Sequence, residues 1–221
     1  MTPAVSTAQQ RRGTLQASSL AWFAVIGIVV YVAIDVLLKF LRPHYSLLYN
    51  AESDYGRGPW YWVMDANFLL RCALSLAIAA ALHRSVGPDS RARGGLVLIM
   101  VWAVCSGLLA FFADDVEGQP LSGSGIVHIA LAFVAFICVT VGTILVSASL
   151  LPDPRWRSPG QVLLVVSIAG AAAFLLLGSA AGHKHAPGGL YERIFLGLQL
   201  LWMALAAGYV IAKRRSAEVT T

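Results

Sequence analysis

Residues 125–150 read GIVHIALAFVAFICVTVGTILVSASL, a run with no Asp, Glu, Lys or Arg anywhere in it. Wound as an α-helix at about 1.5 Å per residue it is about 39 Å long, more than the roughly 30 Å of a bilayer's hydrocarbon core. In lipid a helix satisfies its own backbone hydrogen bonds, whereas a lone strand cannot, and the run lacks the alternation of a barrel strand. Five further apolar runs lie at 19–40, 60–82, 94–112, 161–181 and 190–212. The expected fold is all-α: a polytopic transmembrane bundle of six helices, with a polar segment at 1–18 and a short basic tail at 213–221.

Composition agrees with this reading. The chain is 58% hydrophobic and only 12% charged, against about half and about a quarter in soluble domains, so a soluble core cannot use its apolar surface. The formal charge of +5 comes from basic residues scattered between apolar runs, with no stripe or patch, so nucleic acid is not an expected partner. Cys72, Cys105 and Cys138 each sit inside an apolar run without a close-spaced partner, which points to packing and not to a disulfide or metal framework. The run at 19–40 is too long for a signal-peptide core and is expected to stay as the first span.

The distribution of Lys and Arg sets the orientation. The N-terminal segment, the connections at 83–93 and 151–160, and the tail hold ten basic residues against three acids, Asp89, Asp153 and Glu218. The opposite side holds six basic residues, with those in helix ends included, against eight acids. Both termini are therefore expected in the cytoplasm. The cytoplasmic connections are short and rich in Pro and Gly, which suits tight turns between antiparallel helices. The first external loop, 41–59, is the longest, and Tyr45, Tyr49, Tyr55, Trp60, Tyr61 and Trp62 in and after it favour the headgroup layer, so it is expected to lie along the outer surface.

Arg71 is the residue that most needs an explanation. It falls about eleven positions into the second run, so its Cα is about 15 Å below the external boundary. A charge there costs about 2.5–3.5 kcal/mol on insertion scales, and should face protein or water and be paired. Helical side chains tilt toward their own N-terminus, so this guanidinium reaches outward, toward the depth of Asp35 in the first span. Asp65 shares the helix with Arg71 but lies about 120° around it, which disfavours a direct pair. An Asp35–Arg71 contact is either a buried clamp fixing helix register or part of a water-accessible cavity that touches a ligand.

A second polar group gathers at the outer ends of the later spans: Asp114, Asp115, His128, His183, His185, Glu192 and Arg193. Imidazole and carboxylate suit Zn²⁺, but the spacing matches no metal signature and no HExxH occurs, so no metal is assigned. Glu192 suits a helix N-terminus through the helix dipole. Haem would need opposed histidines at matched depth, and only His128 and His183 qualify. The sequence names no cofactor. P-loop, G-x-S-x-G and dinucleotide motifs are absent, and Ser53 has no base close to it in sequence.

Three segments resemble the uncharacterised bacterial membrane family catalogued as domain of unknown function 998. They are Ser53-Asp54-Tyr55-Gly56, where Tyr55 replaces an aliphatic residue; the acidic turn Asp114-Asp115 leading to His128; and Gly189-Leu190-Tyr191-Glu192-Arg193 at the start of the last span. The resemblance implies a six-span bundle and supplies no catalytic residues.

The resulting expectation is a multi-pass protein of the bacterial cytoplasmic membrane with a polar cavity open to the external side. Asp35, Asp65, Arg71, Asp114, His128, Glu192 and Arg193 are expected to line it. Its expected role is binding or accessory, with membrane lipid, a small ligand or a membrane-protein partner as the thing recognised. The alternative is an intramembrane lipid hydrolase or transferase using His128 or Asp115 as base or metal ligand. Arg71→Ala is predicted to lower accumulation in membranes more than Lys184→Ala, because only the first leaves a buried carboxylate without its partner. Equal accumulation of the two variants, read by immunoblot, would count against the pairing.

Overall fold

The computed structural model describes residues 7–86, 90–116, 119–181, 183 and 186–219. Six long helices account for most of them: α1 (Thr7–Leu41), α2 (Tyr61–Ser85), α3 (Ser90–Leu108), α4 (Gly123–Leu150), α5 (Arg157–Ala180) and α6 (Gly188–Val219). Short 3-10 turns occur at Ser53–Gly56 and Leu109–Phe111, and the described residues include no strand. Each of the six helices is long and apolar enough to cross a bilayer, which makes this a multi-pass membrane protein. The first and last helices extend beyond the apolar runs: α1 begins at Thr7 and α6 continues to Val219.

Local chemistry marks the helix boundaries. Ser122 caps α4 by accepting a hydrogen bond from the Gly125 amide at 3.1 Å, which satisfies one of the amides a helix start leaves free. Pro159 falls in the first turn of α5, where its missing N–H is not needed. Along α4, Thr140, Thr143 and Ser147 return their hydroxyls to carbonyls one turn earlier, so they enter an apolar span without an unsatisfied donor.

The helices stand in a ring in chain order, each against the next, and α6 closes the ring against α1 while also touching α2. Lipid supplies little hydrophobic drive for this association, so close backbone approach and interhelical hydrogen bonds carry it. A close backbone approach joins α3 to α4: a Cβ on Gly95 would lie 2.8 Å from the Gly142 carbonyl oxygen and from Val146. Trp102 on α3 donates to Ser75 on α2 at 3.0 Å, and Trp202 on α6 donates to Ser147 on α4 at 2.9 Å. Inside the ring, Phe136, Phe174 and Phe195 pack against one another in edge-on and tilted contacts, with Phe136 and Phe195 centroids 4.8 Å apart. The outward faces carry Ile26, Val29, Val165, Leu175 and similar exposed apolar side chains.

Antiparallel succession puts the ends of α1, α3 and α5 and the starts of α2, α4 and α6 at one end of the bundle, called the loop face. At the other end Lys213 sits 3.3 Å above the Trp156 ring. The long connection 42–60 does not simply lie on the outside as its aromatic content led us to expect. Tyr49, Trp60, Tyr61 and Trp62 are exposed, but Glu52, Asp54, Tyr55 and Gly56 are buried, because polar groups of α1 and α6 draw the loop inward.

Gly95→Ala is predicted to destabilise the bundle by about 1–3 kcal/mol through overpacking at α3–α4. Gly197→Ala on α6, where an added Cβ meets nothing within 4 Å, should leave the melting temperature unchanged or raised. Thermal unfolding of both variants in one detergent checks this, and equal melting temperatures would remove the close approach as a determinant of stability.

Candidate functional site

The site begins with how the 42–60 loop is fastened. Arg42, just past the end of α1, donates to the backbone carbonyls of Arg57 and Pro59. Arg193, in the second turn of α6, donates from Nη1 to the carbonyls of Leu47 at 3.2 Å, Asn50 at 2.7 Å and Gly189 at 3.1 Å. Leu190 N–H bonds the Leu48 carbonyl at 3.1 Å. A Cβ on Gly189 would fall 2.1 Å from the Asn50 carbonyl oxygen, so only glycine lets the loop backbone rest on the start of α6. Asn50 stiffens the turn by accepting from Ser46 N–H at 2.9 Å and donating to Asp54 at 3.1 Å.

Fastened in this way, the loop delivers Glu52 to the membrane-buried charge. Arg71 is 3% exposed, about ten residues from the loop-face end of α2 and so about 15 Å deep. It donates from Nε to Ser106 Oγ on α3 at 3.2 Å and from Nη1 to the Tyr31 hydroxyl on α1 at 3.1 Å. Its guanidinium also lies 4.9 Å from the Trp102 ring centroid and 5.2 Å from that of Phe68, a favourable cation–π setting when desolvated. Tyr31 donates its hydroxyl to the Glu52 carboxylate, and the Glu52 amide donates to Glu192 Oε2 on α6 at 2.9 Å. Four elements are thus joined by one directed chain, Arg71 to Tyr31 to Glu52 to Glu192.

The expected Asp35–Arg71 ion pair does not form. Arg71 has no ion pair among the described residues, and Asp35 interacts electrostatically with Glu52 and Arg193. Depth explains the difference. Tyr31 lies ten residues below the α1 end at Leu41, level with Arg71, whereas Asp35 lies six below it, about 6 Å nearer the surface.

The remaining expected residues divide. Glu192 and Arg193 join the cluster of Asp35, Glu52 and Arg71. Asp114 and His128 form a second, more superficial group with Ser53. There His128 Nδ1 meets the Phe112 carbonyl at 2.7 Å, His128 Nε2 is 3.9 Å from Asp114 Oδ2, and Ser53 Oγ donates to that same oxygen at 3.2 Å. The His128 ring stands edge-on to Phe68, centroids 6.3 Å apart, so one aromatic ring separates the two groups. Asp65 is half-buried and has no hydrogen bond or ion pair among the described residues.

Outside the spans, burial raises the Asp54 and Tyr55 pKa values, opposed at Asp54 by the Arg57 guanidinium with which it is paired. Asp115 is held below the usual carboxylate range by the Ser122 amide and hydroxyl, at 2.7 and 2.8 Å, so it serves the α4 cap. No three His, Cys, Asp or Glu side chains converge as metal ligands among the described residues. His183 is exposed, while Lys184 and His185 lie outside the described residues.

Among the described residues, the buried atoms without a partner are Asp35 Oδ1, the Tyr55 hydroxyl, Arg57 Nε and Nη1, Asn67 Oδ1, Arg193 Nε and Nη2, and Gln199 Oε1. Arg193 and Tyr55 are neighbours, with the guanidinium carbon 5.8 Å from the ring centroid. Sequence reasoning missed Tyr31, Glu52 and Tyr55. Tyr31 was accessible to it, as the polar side chain of the first span lying level with Arg71, whereas nothing singled out Glu52 among the loop acids.

A six-span membrane bundle whose longest loop folds back to complete a buried guanidinium–carboxylate cluster is the class of protein that fold and site define. Residues 25–209, which contain every residue of that cluster, match a family described as protein of unknown function (DUF998), and the chain belongs to it. No curated protein and no solved structure matches the chain.

Removing the Tyr31 hydroxyl leaves Arg71 Nη1 and the Glu52 carboxylate short of a partner. Tyr31→Phe is predicted to cost about 1–3 kcal/mol, and a cycle with Glu52→Gln should show a coupling energy of about 0.5–3 kcal/mol. Strictly additive unfolding free energies would break the proposed chain between Tyr31 and Glu52.

Proposed function

We propose that this protein is a binding protein of the bacterial cytoplasmic membrane, with both termini in the cytoplasm and a polar site at the loop face open to the outside. On this reading it recognises a lipid headgroup or a small polar ligand of the same chemistry. The orientation is supported by the excess of Lys and Arg at the opposite end, the usual mark of a cytoplasmic side. The observation that carries the binding reading is the set of unpartnered atoms on Asp35, Tyr55 and Arg193, beside a cluster in which Arg71, Tyr31, Glu52 and Glu192 are hydrogen-bonded in series. Buried polar atoms left unpaired are costly, and a water, an ion or a ligand group that bonds them removes that cost.

The alternative, a lipid hydrolase or transferase, has weaker support. A nucleophile needs its base within hydrogen-bond reach. Here Ser53 and His128 approach the same Asp114 carboxylate and share no hydrogen bond with each other, and Asp115 is engaged by Ser122.

In a panel of soluble headgroups (phosphoethanolamine, phosphocholine and glycerol 3-phosphate), at least one member is predicted to raise the unfolding temperature in right-side-out vesicles and not in inside-out ones. Saturation at a hundredfold over Kd corresponds to about 2.7 kcal/mol, and Arg193→Gln should abolish it. No stabilisation in either orientation by any member would reject the binding reading, and stabilisation confined to inside-out vesicles would reverse the topology.

A further inference from the structure

We infer that the site takes a zwitterion, with a primary ammonium against Asp35 and a phosphate or carboxylate against Arg193 and the Tyr55 hydroxyl. This rests on the binding reading above and names the ligand class.

The first support is the pattern of free hydrogen-bonding capacity. Arg71 is held by Ser106 and Tyr31, Glu52 by Tyr31, and Glu192 by the Glu52 amide. Free capacity remains at an acceptor, Asp35 Oδ1, and at two donors of one guanidinium, Arg193 Nε and Nη2, which lies beside Tyr55. Arg193 divides its fork: Nη1 alone holds the loop carbonyls, while Nε and Nη2 form the edge that grips a carboxylate or phosphate with two parallel hydrogen bonds. An acceptor and a bidentate donor in one cluster call for a molecule that bears both a donor cation and an acceptor anion.

Donor chemistry narrows the class further. Asp35 Oδ1 needs an N–H to accept from, which a primary ammonium has and a quaternary one lacks.

Depth fits as well. Asp35 lies six residues inside the end of α1 and Arg193 five inside the start of α6, so both are about 7–9 Å in from the helix ends. That is about half the depth of Arg71, on the loop-face side of the bundle. The two helices are neighbours in the ring, both side chains are half-buried, and Val36 and Leu37 beside Asp35 are exposed. The cluster therefore lies at the α1–α6 seam, next to the exposed outer face of α1.

The test compares wild-type protein in right-side-out vesicles with phosphoethanolamine, phosphocholine and glycerol 3-phosphate, and in nanodiscs with phosphatidylethanolamine against phosphatidylglycerol. Phosphoethanolamine or its lipid is expected to bind about tenfold more tightly than the choline and glycerol compounds, the worth of one charge-assisted hydrogen bond. Binding of the lipid without the free compound identifies a membrane headgroup, binding of the free compound identifies a dissolved ligand, and either bears out the class. Asp35→Asn should erase the preference for ethanolamine and keep residual anion binding, and Arg193→Gln should erase all binding. Equal affinity for all three headgroups, or a preference for glycerol 3-phosphate, overturns the zwitterion while leaving the binding reading intact. Binding of none of them overturns both, and the wild-type comparison decides even if a variant fails to fold.

Discussion

A guanidinium about 15 Å inside a membrane bundle is the constraint on which the loop face depends. Left against hydrocarbon it costs several kcal/mol, and removing that cost requires polar groups at the same depth. The apolar spans offer few. Ser106 and Tyr31 supply two acceptors, and Trp102 and Phe68 supply ring faces. The balancing charge is reached at one remove, through the Tyr31 hydroxyl to Glu52 and onward to Glu192. Glu52 belongs to a loop, so neutralising Arg71 means drawing that loop into the bundle.

This accounts for the contrast between the two ends of the molecule. At the end with Lys213 and Trp156 the connections are short and their charges are at the surface, as in the exposed Arg155–Asp153 pair at 3.0 Å. At the loop face, Tyr55 has no exposed surface, and Arg193 holds the loop backbone over the start of α6. Gly189 permits that contact because any side chain would strike Asn50. The fastening leaves part of Arg193 unused, and the candidate binding edge is a by-product of how the loop is held.

The second group, Ser53, Asp114 and His128, follows the same logic nearer the surface. His128 enters α4 buried, and the Phe112 carbonyl beside it meets Nδ1. Ser53 ties Asp114 to the inserted loop. Both groups therefore brace the 42–60 segment, one from α1, α2 and α6 and the other from the α3–α4 connection, with Phe68 between them.

Six spans, the antiparallel succession that short connections impose, and the depth of Arg71 were legible in the chain alone. Each of these follows from transfer energies and lengths along the chain, and none needs a neighbour to be known. Tertiary structure alone decided that Tyr31 meets Arg71 where Asp35 had been expected. It also decided that Glu52 leaves its loop to join them, that Asp65 stands apart, and that His128 pairs off with Asp114. Those outcomes depend on how each helix is rotated and which helix stands beside it. Such quantities are fixed by distant contacts, the Gly95–Gly142 approach and the closure of α6 on α1 among them, that no window of sequence contains.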